Sequence, residues 1–539
     1  MQVMNGEAVI IDLRVAGYGY TNAEICLTGE GYKCEFTLAI LKPAPDMQTL
    51  YGTQKRPYFH YSAPYGYIND PNGMVYSAHT GKYHLFYQAY PYAQRACGPD
   101  GNKHWGHAVT EDLVTFQEYP TALYPDDNGS MWSGTAVVDR QNTAGLYGVD
   151  VPPEDRLLLV YYARKDIETR AGLAYTSDGG KSWVKADRML QFIGVHPGHI
   201  DPKVFWCKEF QKWVMFCASG ELYTSEDLWI WHYNSTDKAY ECPDIYPIQV
   251  EETREIKYVR TYGGTFYRVG EMVRESDGAI HFVPETEYLT YNGDSLNRDR
   301  DNGLLIEYGW NSGKTGTFYA TQHYAETPNN RVVSVSWMIE RGLDPTENWA
   351  GAMSIATQQK LHKKADGSYI LCSYPVQELE QLHKEQSCFL KNILVTPDSE
   401  NILQNCFGTY LDIDCTLCLE SGTQEVGFKL RTGDDGGDIT IKYDVSKELL
   451  IADYSNSQHG IYNGIRSMVM KLPEDREISL RILLDSIIVE SFGNMGEASI
   501  SSVFCREEGC ETMAFYTVGG NTHIRHLKIN RMGSCMKTT

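Results

Sequence analysis

The sequence predicts an all-β protein, a β-propeller followed by a C-terminal β-sandwich, and three observations carry that prediction. Short apolar and aromatic runs separated by Gly, Asn, Asp and Pro recur along the 539 residues, while helical periodicity is scarce. A small pattern repeats at Val109-Thr110-Glu111-Asp112-Leu113-Val114-Thr115-Phe116, at Tyr175-Thr176-Ser177-Asp178-Gly179-Gly180-Lys181-Ser182-Trp183 and at Tyr223-Thr224-Ser225-Glu226-Asp227-Leu228-Trp229-Ile230-Trp231. Each copy has a hydroxyl residue, turns at an acid and ends on an aromatic, as blades that bury the same face against a neighbour require. Near the C-terminus Ile478, Leu480 and Ile482 alternate with Ser479 and Arg481. A turn at Asp485-Ser486 then leads into Ile487 to Phe492, the pattern of a sandwich hairpin.

The elements follow in order. Residues 1–54 hold strand-like runs at Ala8 to Val15 and Cys34 to Leu41, read as a small β extension without an assigned role. Residues 55–384 form the propeller, with further blade strands at Leu157 to Tyr162, Trp213 to Phe216 and Val332 to Met338. After Tyr374-Pro375, the spacing of Val376, Leu379 and Leu382 predicts a short linker helix, and residues 385–539 form the sandwich. The repeat alone leaves the number of blades open.

Composition narrows the partners. The chain has 48 Lys and Arg against 70 Asp and Glu, a net charge of −22, which repels phosphate backbones and anionic membranes and favours a neutral partner. Its N-terminus, Met1-Gln2-Val3-Met4-Asn5-Gly6-Glu7, lacks the basic and apolar regions of a secretory leader, so a cytoplasmic protein is expected. The 14 cysteines are scattered, and Cys415 and Cys418 make a lone C-x-x-C on a strand-like segment, so free thiols are expected rather than disulfides or zinc.

Three acids stand out. Asp70 lies in Asn69-Asp70-Pro71-Asn72-Gly73, where Asn72-Gly73 reads as a tight reversal that would hold the carboxylate rigidly among backbone N–H donors. Asp201 lies in His199-Ile200-Asp201-Pro202-Lys203-Val204, and Glu241 in Tyr240-Glu241-Cys242-Pro243-Asp244. Singly, each reads as a turn carboxylate; on separate blades they would converge at the mouth of the central channel. Retaining glycoside cleavage needs an ionised nucleophile and a protonated acid. Asp70 is expected to stay ionised, Glu241 to have a raised pKa and act as the acid, and Asp201 to stabilise positive charge at the anomeric centre.

In these motifs the chain resembles glycoside hydrolase family 32, the invertase, inulinase and levanase family. The matching segments are Asn69-Asp70-Pro71-Asn72-Gly73, Phe86-Tyr87-Gln88, Trp105-Gly106-His107-Ala108 with Asp112-Leu113, Trp132-Ser133-Gly134, Asp201-Pro202-Lys203-Val204 and Glu241-Cys242-Pro243-Asp244. Later matches are Phe318-Tyr319-Ala320, Trp337-Met338, Asn348-Trp349-Ala350-Gly351-Ala352 and Ile488-Val489-Glu490-Ser491-Phe492-Gly493-Asn494. The resemblance implies a five-bladed propeller and a sandwich, with Asp70 as nucleophile, Glu241 as acid/base and Asp201 as transition-state stabiliser. It also implies that Asn69, Gln88, Trp105, Trp132 and Ser133 line the terminal-sugar subsite, that no metal or organic cofactor takes part, and that the partner is a small β-fructofuranoside such as sucrose or a fructo-oligosaccharide. For Trp105 a buried structural role is the alternative. The chain departs from the family at Ile200, where the family has an arginine whose N–H fork binds sugar hydroxyls. If position 200 faces the sugar, His199 points to the opposite face of an extended segment. A sugar-binding propeller with reduced catalysis, and transfer to a sugar hydroxyl instead of water, stay open as alternatives.

Overall fold

The computed structural model describes residues 2–4, 7–10, 55–91, 103–237, 241–295, 318–340, 347–432, 439–456, 464–504 and 511–537. Apart from a two-stranded ladder of Gln2–Met4 with Glu7–Ile10, its strands form five blade sheets and two six-stranded sandwich sheets. The expected runs at Ile11 to Val15 and Cys34 to Leu41 lie outside the described residues.

The five blades begin with inner strands Gly66–Ser77, Ser130–Val138, Lys203–Cys207, Asp244–Gln249 and Phe318–His323. Antiparallel neighbours continue each blade outward. The ring is closed by Trp349–Ala350, which pairs in parallel with Gly66 and Tyr67 of the first blade. Arg56 buckles this closure by donating to the Ala63 and Pro64 carbonyls and to Asn348 Oδ1. The three repeats identified in the sequence do one job. Thr110, Thr176 and Ser225 each donate to the acid two residues on, at 2.9, 2.8 and 3.1 Å, and that acid accepts N–H groups of the turn into the fourth strand of its blade. Each turn thereby keeps its backbone donors paired without help from a neighbouring blade.

Asn72-Gly73 is not the reversal expected of it. Gly66–Ser77 runs on as one strand with two register shifts against Lys82–Tyr90, on either side of Pro71. A proline lacks the ladder N–H, so an irregularity at that point is the natural accommodation. The glycine serves a close approach: a Cβ at Gly73 would lie 2.4 Å from the Ala136 nitrogen in the inner strand of the second blade.

The linker helix is present as a 3-10 helix, Gln377–Leu382, with Leu379 and Leu382 buried against the propeller. Beyond it, the sheet ordered His383–Val395, Thr522–Met532, Leu411–Leu419, Glu477–Leu484, Ile488–Gly493, Ala498–Val503 faces a second sheet built on Glu425–Thr432. Leu417, Phe428, Ile441, Leu480 and Ile482 fill the space between them. One strand of that second sheet, Asp294–Ser295, comes from the loop that leaves the fourth blade, and Arg466 fixes it by donating to the Asn292 and Gly293 carbonyls. Asp485, in the predicted sandwich turn, accepts the N–H groups of Tyr58, Phe59 and His60 and an ion pair from His60 at 2.9 Å. The sandwich is thus pinned to the segment that feeds the first blade. All nine described cysteines are unpaired.

Candidate active site

The inner strands start together at one end of the channel, so the residues at their heads meet. Asn69 and Asp70 come from the first blade and Trp132 and Ser133 from the second. Asp201 lies two residues before the third inner strand, Glu241 three before the fourth, and Tyr319 comes from the fifth. The motif residues on the far side of the mouth serve to hold this ring. Lys203 forms a buried ion pair with Asp244 at 2.6 Å and donates to Gln322 Oε1 at 3.1 Å, which joins the third, fourth and fifth blades. Thr135 donates to the Pro202 carbonyl and accepts from the Val204 N–H, joining the second blade to the third.

Asp70 is half-buried and accepts three side-chain donors: Asn69 Nδ2 at 3.0 Å, Ser133 Oγ at 2.9 Å and Cys242 Sγ at 3.3 Å. The donors expected from the backbone of a turn are therefore side chains from three blades. Burial, followed by the neighbouring Asp201 charge, pushes Asp70 above the usual carboxylate range, while Asn69, Lys103 and Ser133 oppose the rise. Glu241 reaches solvent at the mouth while its carboxylate is partly enclosed, and among the described residues it accepts one donor, Tyr319 Oη at 3.3 Å. Burial and then Asp201 raise its pKa, as expected for an acid, with His199 opposing. Of the two carboxylates, Asp70 has the richer set of donors to its charged form.

Asp201 is 6% exposed and held at φ +26°, an uncommon backbone for a residue with a side chain. Burial works against its ionisation, but His199, Lys103 and the Cys242 N–H outweigh burial and hold the carboxyl below its usual range. Its partner is His199, with Nε2 at 3.3 Å from Asp201 Oδ2. The Asp201 charge raises the His199 pKa to about 9 against the effect of burial, so the imidazole is cationic at neutral pH.

This arrangement corrects the expectation for Ile200. Alternation holds in the segment, but in the opposite phase: His199 and Asp201 share the face toward the mouth, and Ile200, fully buried, packs with Leu158, Val160 and Tyr162 between the second and third blades. Ile200→Arg places a guanidinium among those side chains. It is expected to cost at least about 3 kcal/mol of stability, read as a lower thermal midpoint, without improving sugar affinity.

The remaining predicted residues divide into those at Asp70 and those behind it. Asn69 and Ser133 touch Asp70 directly. Gln88 donates to the Met131 carbonyl at 3.1 Å. Trp105 is fully buried and its indole N–H is committed to the Trp132 carbonyl at 2.7 Å, so it supports the site from behind. Trp132 has the Lys103 ammonium 3.2 Å from its ring centroid. Buried polar atoms without a hydrogen-bond partner among the described residues include Asn69 Oδ1, Gln88 Oε1, Trp132 Nε1 and Asp201 Oδ1, a need that a polyhydroxyl ligand would answer. Sequence reasoning missed Lys103, Cys242 as a thiol donor, and Tyr319. The motif match ran through Cys242 and Tyr319, which was the available signal.

The Asp70–Glu241–Asp201 arrangement suits glycosyl transfer. The chain is 31% identical over 537 residues to a levanase of Bacillus subtilis, covering 93% of this chain and 74% of that one. It is 31% identical to a fructan beta-fructosidase of Streptococcus mutans over 86% of this chain, spanning 32% of that longer protein. The fold matches the crystal structure of exo-inulinase from Aspergillus awamori with a TM-score of 0.74 at 22% identity, covering 90% of this chain and 99% of that one. Residues 60–375 match the N-terminal domain, and residues 378–531 the C-terminal domain, of the glycosyl hydrolases of family 32, and the chain belongs to that family.

Proposed function

We propose that the protein is an exo-acting, retaining β-fructosidase that releases terminal non-reducing β-fructofuranosyl units from sucrose or fructo-oligosaccharides. The observation that carries this reading is the juxtaposition of Asp70 and Glu241: Cys242, next to Glu241 in the chain, donates its thiol proton to Asp70 at 3.3 Å. Relatives named levanase, fructan beta-fructosidase and invertase support the fructosyl unit as the group transferred.

In the first step the Asp70 carboxylate attacks the anomeric carbon C2, the C2–O bond to the leaving group breaks, and Glu241 gives its proton to that oxygen. Asp201, ionised through His199 and Lys103, faces the positive charge that builds on the ring. In the second step Glu241, now a carboxylate, takes a proton from water as the water oxygen attacks C2, and Asp70 leaves. The thiol of Cys242 stays protonated because burial and then the nearby Asp70, Asp201 and Glu241 charges raise its pKa, so it serves Asp70 as a donor throughout.

Incubation with sucrose, 1-kestose, inulin and levan, with products followed by NMR from the first turnover, tests the reading. Release of fructose as the β-furanose anomer is expected, with the short substrates preferred. Absence of cleavage across the panel, or the α anomer appearing first, would sink it; fructosylated sugars accumulating in place of free fructose would mark the transferase alternative.

A further inference from the structure

We propose that Lys103 is a second cation of the sugar site beside His199, donating to fructosyl hydroxyls and stabilising the ionised Asp70 and Asp201. The assignment rests on a fructosyl substrate at Asp70. Lys103 immediately precedes the strand His104–Thr110, and its carbonyl accepts the Met131 N–H at 3.0 Å, one residue before Trp132. Although the residue is 6% exposed, its ammonium has neither a hydrogen bond nor an ion pair among the described residues. It lies 3.2 Å from the Trp132 ring centroid and 5.6 Å from that of Tyr90.

An ammonium on so enclosed a side chain has three N–H groups to satisfy, and an indole face meets that need only in part. Position 200 cannot do so for the sugar, because Ile200 is sealed in the core between blades. The charged and titratable groups that act on Lys103 are Asp70, Asp201, Cys242 and Glu241; burial lowers its pKa to about 8 against their attraction, so it remains protonated at neutral pH. The complement is present beside it: Asn69 Oδ1, Gln88 Oε1 and Asp201 Oδ1 are acceptors without partners. A sugar hydroxyl donates one proton and accepts another, so a ring bound here can accept from Lys103 while donating to these oxygens. Lys103 would also cap one face of Trp132, which leaves that face unavailable for stacking on a sugar ring.

The test is fructose binding by calorimetry, together with sucrose kinetics across pH, on the wild type, Lys103→Met and Lys103→Arg, with thermal melts of each. Lys103→Met is expected to weaken Kd for fructose and raise KM by about 10- to 100-fold, with a smaller change in kcat. Its acid limb of kcat/KM should move to higher pH, because Asp70 and Asp201 lose the cation that favours their ionised forms. The wild type should lose affinity as pH rises through about 8, and Lys103→Arg should recover neutral-pH affinity and carry that loss to higher pH. A merely structural lysine would move the melting temperature without moving the acid limb. If the wild type cleaves sucrose and Lys103→Met keeps the same Kd and the same acid limb, the inference is overturned while the fructosidase reading stands. If Lys103→Met does not fold, Lys103→Arg decides, since an alkaline loss of fructose affinity that stays at the wild-type pH also overturns it. A wild type that neither binds fructose nor cleaves a fructoside overturns both.

Discussion

Asp70→Asn is expected to lower kcat on sucrose by about 10⁴- to 10⁶-fold, the range for removing a nucleophile from a site whose other groups remain. The substitution keeps the shape of the side chain and an oxygen that can accept from Ser133 or Asn69, so the ring of strand heads has no reason to rearrange. What disappears is the atom that forms the bond to C2. The thermal midpoint separates this loss from a structural one. Asp70 is held beside Asp201 at an electrostatic cost, visible in the upward push that Asp201 exerts on its pKa, and a neutral amide relieves that repulsion. A variant that is inactive and at least as stable as the wild type is therefore expected, by activity assay and calorimetry on the same preparation. An inactive variant that melts well below the wild type would instead mean that Asp70 is needed for folding. A variant retaining a tenth of wild-type kcat would remove Asp70 from the nucleophile role.

Much of this site is legible in the chain because each acid sits in a short local motif at the head of an inner strand, and the propeller brings those heads together. The reading goes wrong where one local signal serves two physical needs. Asn72-Gly73 has the composition of a tight turn, yet the glycine is there for the approach of Ala136, a contact between strands more than sixty residues apart. At His199-Ile200-Asp201 the period of alternation is visible but its phase is not, because the phase depends on which blade faces supply the apolar cluster that takes Ile200. Lys103 stands after Gly101-Asn102, a context that reads as a solvated loop. A clue is its spacing of two from Trp105, which on an extended strand sets both side chains to one side. Asp294–Ser295 carries no sandwich signal at all, since a two-residue strand is defined by its partner, Ile465–Val469.

Glu241→Gln is expected to lower kcat/KM on sucrose by about 10²- to 10⁴-fold, the usual contribution of a positioned general acid. The effect should depend on the leaving group. Departure of glucose from sucrose needs a proton on its oxygen, whereas a β-fructosyl derivative with a good leaving group does not, so its fructosylation step should survive and the defect should shift to hydrolysis of the Asp70 ester. The pH profile gives the sign. The wild type gains activity as pH rises through the Asp70 pKa, which is raised by burial and Asp201, and loses it as Glu241 gives up its proton, also at a raised pKa. The two groups share a site, so the limbs report the pair. In Glu241→Gln no acid is left to deprotonate at that position. The descending limb should therefore move up toward the range where Lys103, at about 8, and His199, at about 9, lose their charges. A variant that keeps the wild-type descending limb would place the acid elsewhere. Tyr319, whose hydroxyl donates to Glu241 Oε2, would be the first residue to examine.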